Sequence, residues 1–185
     1  MAVIIVIALR LIVPLTILRW PLAGALLSMV LDAVDVALVD AIASVLGQPG
    51  EFGPFYAQID KWLDLWYLGL ELWVTRRWTE TLSRRAAAGL FGWRLIGVIL
   101  FEITVSHPLL FLFPNLFENF YLYVLLVRRF APRLEPRTGP QLVLVLVVLF
   151  IPKAIQEYIL HVEEMHPWQW LRNTVIEPVL GDWVH

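Results

Sequence analysis

The sequence contains no cysteine. That excludes disulfides, a thiolate nucleophile and every cysteine metal site, so any bound metal must take oxygen or imidazole ligands. Charge is scarce as well: Asp, Glu, Lys and Arg make up 16% of the residues, and a net charge of -2 gives no electrostatic reason to bind nucleic acid. No internal repeat or low-complexity tract is present. The opening residues MAVIIVIALRL lack the basic start and small-residue cleavage site of a secretory signal, so they read as a retained first span.

What the chain does contain is apolar length. Of its 185 residues 59% are hydrophobic and the mean hydropathy is +0.73, outside the range of ordinary soluble domains. A span needs about 20 apolar residues at a rise of roughly 1.5 Å each, and six segments approach that: 2–18, 21–46, 58–75, 86–106, 109–127 and 141–162. The expected fold is all-α, a polytopic transmembrane helix bundle forming one integral membrane domain over 1–185, with an interfacial amphipathic tail at 167–185. Arg19-Trp20-Pro21 marks a tight turn at headgroup level, Gln48 to Pro54 is a loop, His107-Pro108 bends the chain, and Pro132 to Pro140 separates the last two spans.

Orientation follows from the arginines. Arg19, then Arg76, Arg77, Arg84 and Arg85, then Arg128, Arg129, Arg133 and Arg137 fall in the connections after spans one, three and five, whereas those after spans two and four hold no basic residue. The positive-inside bias therefore predicts an integral protein of a bacterial plasma membrane with both termini on the non-cytoplasmic side.

Within the spans lie nine acids (Asp32, Asp35, Asp40, Asp60, Asp64, Glu71, Glu102, Glu118 and Glu157) against four bases (Arg10, Lys61, Arg94 and Lys153). A charge near the bilayer centre costs about 2.5–3.5 kcal/mol on insertion scales, so these groups should face a bundle interior, a partner or a water-filled cavity. Helical spacing sorts them. Asp32 and Asp35 share a face; Asp60, Asp64, Tyr67 and Glu71 form a stripe; Asn115, Glu118 and Asn119 form another; Lys153, Gln156, Glu157 and His161 a third. Arg10, Asp32, Asp35, Glu118, Asn119 and Lys153 fall near mid-depth, and Asp60, Glu102, Glu157 and His161 toward the non-cytoplasmic end, which predicts a cavity open to that side. The nine Trp read mostly as interfacial anchors, and Tyr56, Tyr67, Tyr121 and Tyr158 as packing residues ahead of hydroxyl donors.

Six spans, an arginine in the first, and Asp32-x-x-Asp35 followed by Asp60-x-x-x-Asp64 on spans two and three together resemble the CDP-alcohol phosphatidyltransferase family. In that family D-x-x-D-G-x-x-A-R, eight residues, then G-x-x-x-D-x-x-x-D hold two divalent metals on the diphosphate, and the last aspartate deprotonates the acceptor hydroxyl. The resemblance covers about the first 75 residues. It implies Asp32, Asp35, Asp60 and Asp64 as ligands of a divalent cation, Mg²⁺ or Mn²⁺, with Asp64 as the catalytic base and a lipid as substrate.

The residues themselves admit two other classes. Acid chains with basic counter-ions also build proton- or cation-coupled carriers, and at this length a carrier would be expected to form a homodimer. The same stripes would also serve as interhelical glue in a structural subunit of a membrane complex. Four carboxylates facing one another repel, which is relieved by protonation, by pairing with Arg10 or Lys153, or by a divalent cation. The cation is the expectation, on the ground that the two bases could not reach all four carboxylates at once.

Overall fold

A computed structural model describes residues 1–47, 56–104, 109 and 112–161, with the side chains of 56, 57 and 156–161 outside that description. Among the described residues there are seven α-helices and no strand, as expected for an all-α chain: α1 Ala2–Ile12, α2 Pro21–Ala33, α3 Asp35–Val45, α4 Tyr56–Thr75, α5 Thr81–Thr104, α6 Leu116–Phe130 and α7 Gly139–His161. Short 3-10 segments cover Val13–Leu18 and Pro132–Leu134. The interfacial tail expected at 167–185 lies outside the described residues.

The first helix does not run unbroken to residue 18. Pro14 lacks a backbone N–H, and the chain tightens into the 3-10 segment, where the Thr16 hydroxyl donates to the Val13 carbonyl at 2.6 Å. Pro21 then opens α2 at a position where its missing N–H is no loss. Helix α2 folds back directly onto the 3-10 segment, so closely that a Cβ on Gly24 would lie 2.4 Å from the Ile17 backbone nitrogen. Backbone cannot yield as a side-chain tip can. Gly24→Ala should therefore destabilise the protein by about 1–3 kcal/mol, whereas Gly89→Ala, in open space on α5, should be neutral or gain up to about 1 kcal/mol. Thermal unfolding of the two variants in detergent checks this, and equal melting temperatures would contradict the close crossing.

The segment expected as one span over 21–46 is broken. Val34 (φ -110, ψ 5) separates α2 from α3, and the two helices bend by 64°. Backbone hydrogen bonding bridges the break, since Val34 N donates to Val30 O and Leu38 N to Val34 O. The fifth segment also differs: α6 begins at Leu116, because Asn115 caps it by accepting from the Glu118 N–H at 3.4 Å and Pro114 precedes the cap. Segments three and six agree with α4 and α7 to within two residues.

Helix α4 is central, packing against α1, the first 3-10 segment, α2, α5 and α6. Its inner face enters an apolar core of Ile17, Ala25, Leu68, Ala87, Phe117, Phe120 and Val124, and a smaller core of Ala2, Val6, Val39 and Ala43 joins α1 to α3. Trp78 departs from the expected interfacial anchor: it is buried, stacks on Tyr121 with ring centroids 5.8 Å apart, and carries the Arg128 guanidinium over its other side at 4.7 Å.

Beside these apolar cores the interior also holds charge, and much of the surface is aliphatic. Arg10, Asp35, Asp64, Glu71, Arg94, Glu118 and Lys153 are buried, while Val143, Leu144, Val147, Val148, Ile151 and Ile155 along α7 are each more than half exposed. Among the described residues one helix, Thr81–Thr104, is long and apolar enough to cross a membrane, or two when the bent pair α2 and α3 is taken as one. Helix α4 has the length but carries Asp60, Lys61, Asp64 and Glu71, and the apolar stretches Ala2–Leu18 and Gly139–Ile155 are shorter.

Candidate acidic site

Four helices bring their polar residues to one point. Arg10 lies in the last turn of α1, Asp32 in the last turn of α2, Asp35 at the start of α3, and Asp60 and Asp64 one turn apart on α4. The bend at Val34 lets two aspartates on different helices approach the same group. Arg10 Nη1 donates to Asp35 Oδ2 at 2.5 Å and to Asp60 Oδ1 at 2.6 Å; Nη2 donates to Asp64 Oδ1 at 2.8 Å and to Asp32 Oδ1.

That geometry corrects the expectation that the nearby bases could not reach all four carboxylates. A guanidinium is planar and presents several N–H donors in a fixed fork, so one buried side chain can serve acids arriving from two sides. Lys153, the other base considered, acts instead on Glu118. Two further cations complete the centre. Lys61 Nζ lies 2.7 Å from Asp60 Oδ2 and 3.6 Å from Asp64 Oδ2, and Arg94 Nη2 lies 4.0 Å from Asp64 Oδ2 while its Nη1 donates to the Phe113 carbonyl at 3.0 Å. The signal for Lys61 was its place next to Asp60 and three before Asp64; Arg94 was legible as a span base able to neutralise an acid, but which acid it meets depends on how α5 packs on α4.

Fully ionised, the four carboxylates outnumber the three cations touching them by one negative charge. Asp32, Asp60 and Asp64 each also offer an oxygen within 4.8 Å of the others. Asp32, Asp60 and Asp64 are thus an all-oxygen set that could hold a hard cation.

The expected stripe on α4 faces inward along its whole length, and below the aspartates it meets a second polar group. The Tyr67 hydroxyl donates to Glu118 Oε1 at 2.9 Å, so Tyr67 is a donor as well as a packing residue; Asn115 Nδ2 donates to Glu118 Oε2 at 3.1 Å. Asn119 is half-buried and it is Asn115 that holds Glu118. Glu71 is fully buried one turn beyond Tyr67. Glu102, half-buried near the end of α5, joins neither group through a hydrogen bond of its Oε1. The side chains of Glu157 and His161 lie outside the described residues.

No protein-family model, no curated protein and no solved structure matches this chain.

Proposed function

We propose that this chain is a six-span integral membrane protein, both termini away from the cytoplasm, whose four-aspartate centre binds a divalent cation and serves phosphoryl transfer on a lipid. The observation that carries the reading is the meeting of Asp32, Asp35, Asp60 and Asp64, from three helices, in an interior whose outer surface is apolar. Buried charge inside and exposed aliphatic side chains outside is the arrangement a bilayer favours and water does not. A cation held by Asp32, Asp60 and Asp64 would supply charge stabilisation at phosphate oxygens. Arg10 would fix the carboxylates in place, and by the resemblance Asp64 is the aspartate that would take a proton from an acceptor hydroxyl.

The chain departs from the CDP-alcohol phosphatidyltransferase pattern in ways that bear on the substrate. Val36 stands for the first glycine, Val39-Asp40 for the Ala-Arg pair and Tyr56 for the second glycine, and the second and third aspartates are seven residues further apart, a difference that an insertion within 48–54 could account for. The absence of that arginine and those glycines weighs against a CDP-linked substrate, and the proposed substrate class is a lipid phosphate ester of another kind.

Thermal unfolding of the purified protein tests the cation. Millimolar Mg²⁺, Mn²⁺ or Ca²⁺ should raise its melting temperature, by the equivalent of about 2.7 kcal/mol where the ion is present at a hundred times its dissociation constant. Asp35→Asn combined with Asp64→Asn should abolish the shift. A wild type indifferent to all three ions would favour a second reading, a structural subunit with Arg10 as the shared counter-ion, which its bonds to all four carboxylates also support. Topology has its own check: single cysteines replacing Leu46 and Arg85, both exposed, should react with impermeant thiol reagents from opposite sides of the membrane. Labelling from one side would rule out this span order.

A further inference from the structure

The carboxylate of Glu71 is the one buried acid whose two oxygens both stand without a hydrogen-bond partner among the described residues. It is completely shielded, on the face of α4 turned toward α6. Glu118 and Tyr121 of α6 both act on it electrostatically, and the Tyr121 hydroxyl is itself buried without a partner. Tyr67 lies one turn away on the same helix. From the other elements packed against α4 no cation among the described residues bonds to Glu71: the 3-10 segment Val13–Leu18 carries no titratable side chain, α1 and α2 bring Arg10 and Asp32 to the aspartate centre, and Arg94 of α5 is engaged with Asp64 and the Phe113 carbonyl.

The two glutamates are provisioned very differently. Glu118 accepts from the Tyr67 hydroxyl and the Asn115 amide, the donors a buried carboxylate requires. Glu71 has neither donor nor cation, and an ionised carboxylate so placed would be prohibitively costly. A carboxylic acid, by contrast, carries its own O–H donor, and the acid whose charge acts on it is Glu118.

We propose that Glu71 is a proton-binding site, a neutral carboxylic acid that shares its proton with the Glu118 carboxylate. The exchange is a simple proton transfer: the O–H bond on Glu71 breaks as one forms on Glu118, and the pair keeps a single negative charge. Seven residues, or about 10 Å of helix rise, separate Glu71 from Asp64, and Tyr67 stands between, hydrogen-bonded to Glu118. The proton site is thus one hydroxyl removed from the aspartate centre, on the side of the bundle that leads to Arg76 and Arg77. It rests on the reading of this interior as a polar core in a membrane, and not on any metal at the aspartates.

Infrared spectroscopy of the wild-type protein in nanodiscs, at neutral pH and without divalent metal, tests this. A carbonyl band of a protonated carboxyl group should be present, should move when glutamate is replaced by carboxyl-¹³C-glutamate, and should disappear in Glu71→Gln, a neutral isostere expected to fold. In Glu118→Gln the band should persist at a shifted position, since its acceptor has changed, and in Glu102→Gln it should be unaltered. If Glu71→Gln does not accumulate, the labelled wild type with the other two variants carries the decision. Absence of the band, its indifference to the glutamate label, its survival in Glu71→Gln or its loss in Glu118→Gln or Glu102→Gln would each overturn the proposal. Because no metal is present, failure of the cation reading leaves this result untouched.

Discussion

Replacing Arg10 with leucine is expected to destabilise the protein by about 3–5 kcal/mol, enough to prevent accumulation of a protein of ordinary stability. The guanidinium is 3% exposed and donates to four carboxylates from α2, α3 and α4. Removing it leaves like charges within a few ångströms of one another in an interior that screens them poorly, and Lys61 and Arg94 reach only Asp60 and Asp64. The cost is chiefly that of stranded acids, so it should be recoverable. Arg10→Leu combined with Asp32→Asn and Asp35→Asn should regain a large part of the lost stability, since the two aspartates that depended most on the guanidinium are then neutral. Arg10→Lys should fall between wild type and Arg10→Leu, because an ammonium has three donors on one atom and no fork to span both sides of the cluster. Expression level and melting temperature across the four proteins give the answer. If Arg10→Leu matches the wild type, the guanidinium is not what holds the acids together.

The second large effect should separate the four aspartates by rank. Asp64 alone contacts all three cations, with Oδ1 on Arg10 and Oδ2 near Lys61 and Arg94, and its side chain is 9% exposed. Asp64→Ala should therefore cost about 3 kcal/mol, much of it from leaving buried positive charge undercompensated. Asp32 contacts Arg10 as its one cation among the described residues and is 31% exposed, the most exposed of the four, so Asp32→Ala should cost less than Asp64→Ala. Asp60 and Asp35 should lie between. The ranking is read from melting temperatures of the four alanine variants under identical conditions without divalent metal. Equal losses at Asp32 and Asp64 would mean that the acids share their counter-ions evenly and that the contacts around Asp64 have no special weight.

The inward face of α4 could be read in advance because it depends on one helix. The 4, 3, 4 spacing of Asp60, Asp64, Tyr67 and Glu71 puts them on one stripe of any regular helix, and an apolar chain has one favourable place for such a stripe, away from its exposed surface. The all-α class followed in the same way from composition and segment length. The start of α6 was legible only in part: Pro114 and Asn115 are ordinary punctuation for a helix N-terminus, but continuous hydropathy through Leu109 to Leu112 masked it.

What the sequence alone determined, then, is which residues must leave the apolar surface, since periodicity within a helix and the cost of burying charge act locally. The tertiary structure decided what they meet there. Nothing in the run Leu31 to Val36 marks the 64° break at Val34, which contains neither proline nor glycine, yet that break delivers Asp32 and Asp35 to the same guanidinium. The choice of Arg10 over Lys153 as the common counter-ion, the arrival of Arg94 from α5 and the isolation of Glu71 beside Glu118 likewise depend on distances between helices far apart in the chain. Coulomb attraction and hydrogen bonding act over a few ångströms, and only the packing of α1, α4, α5 and α6 sets those separations.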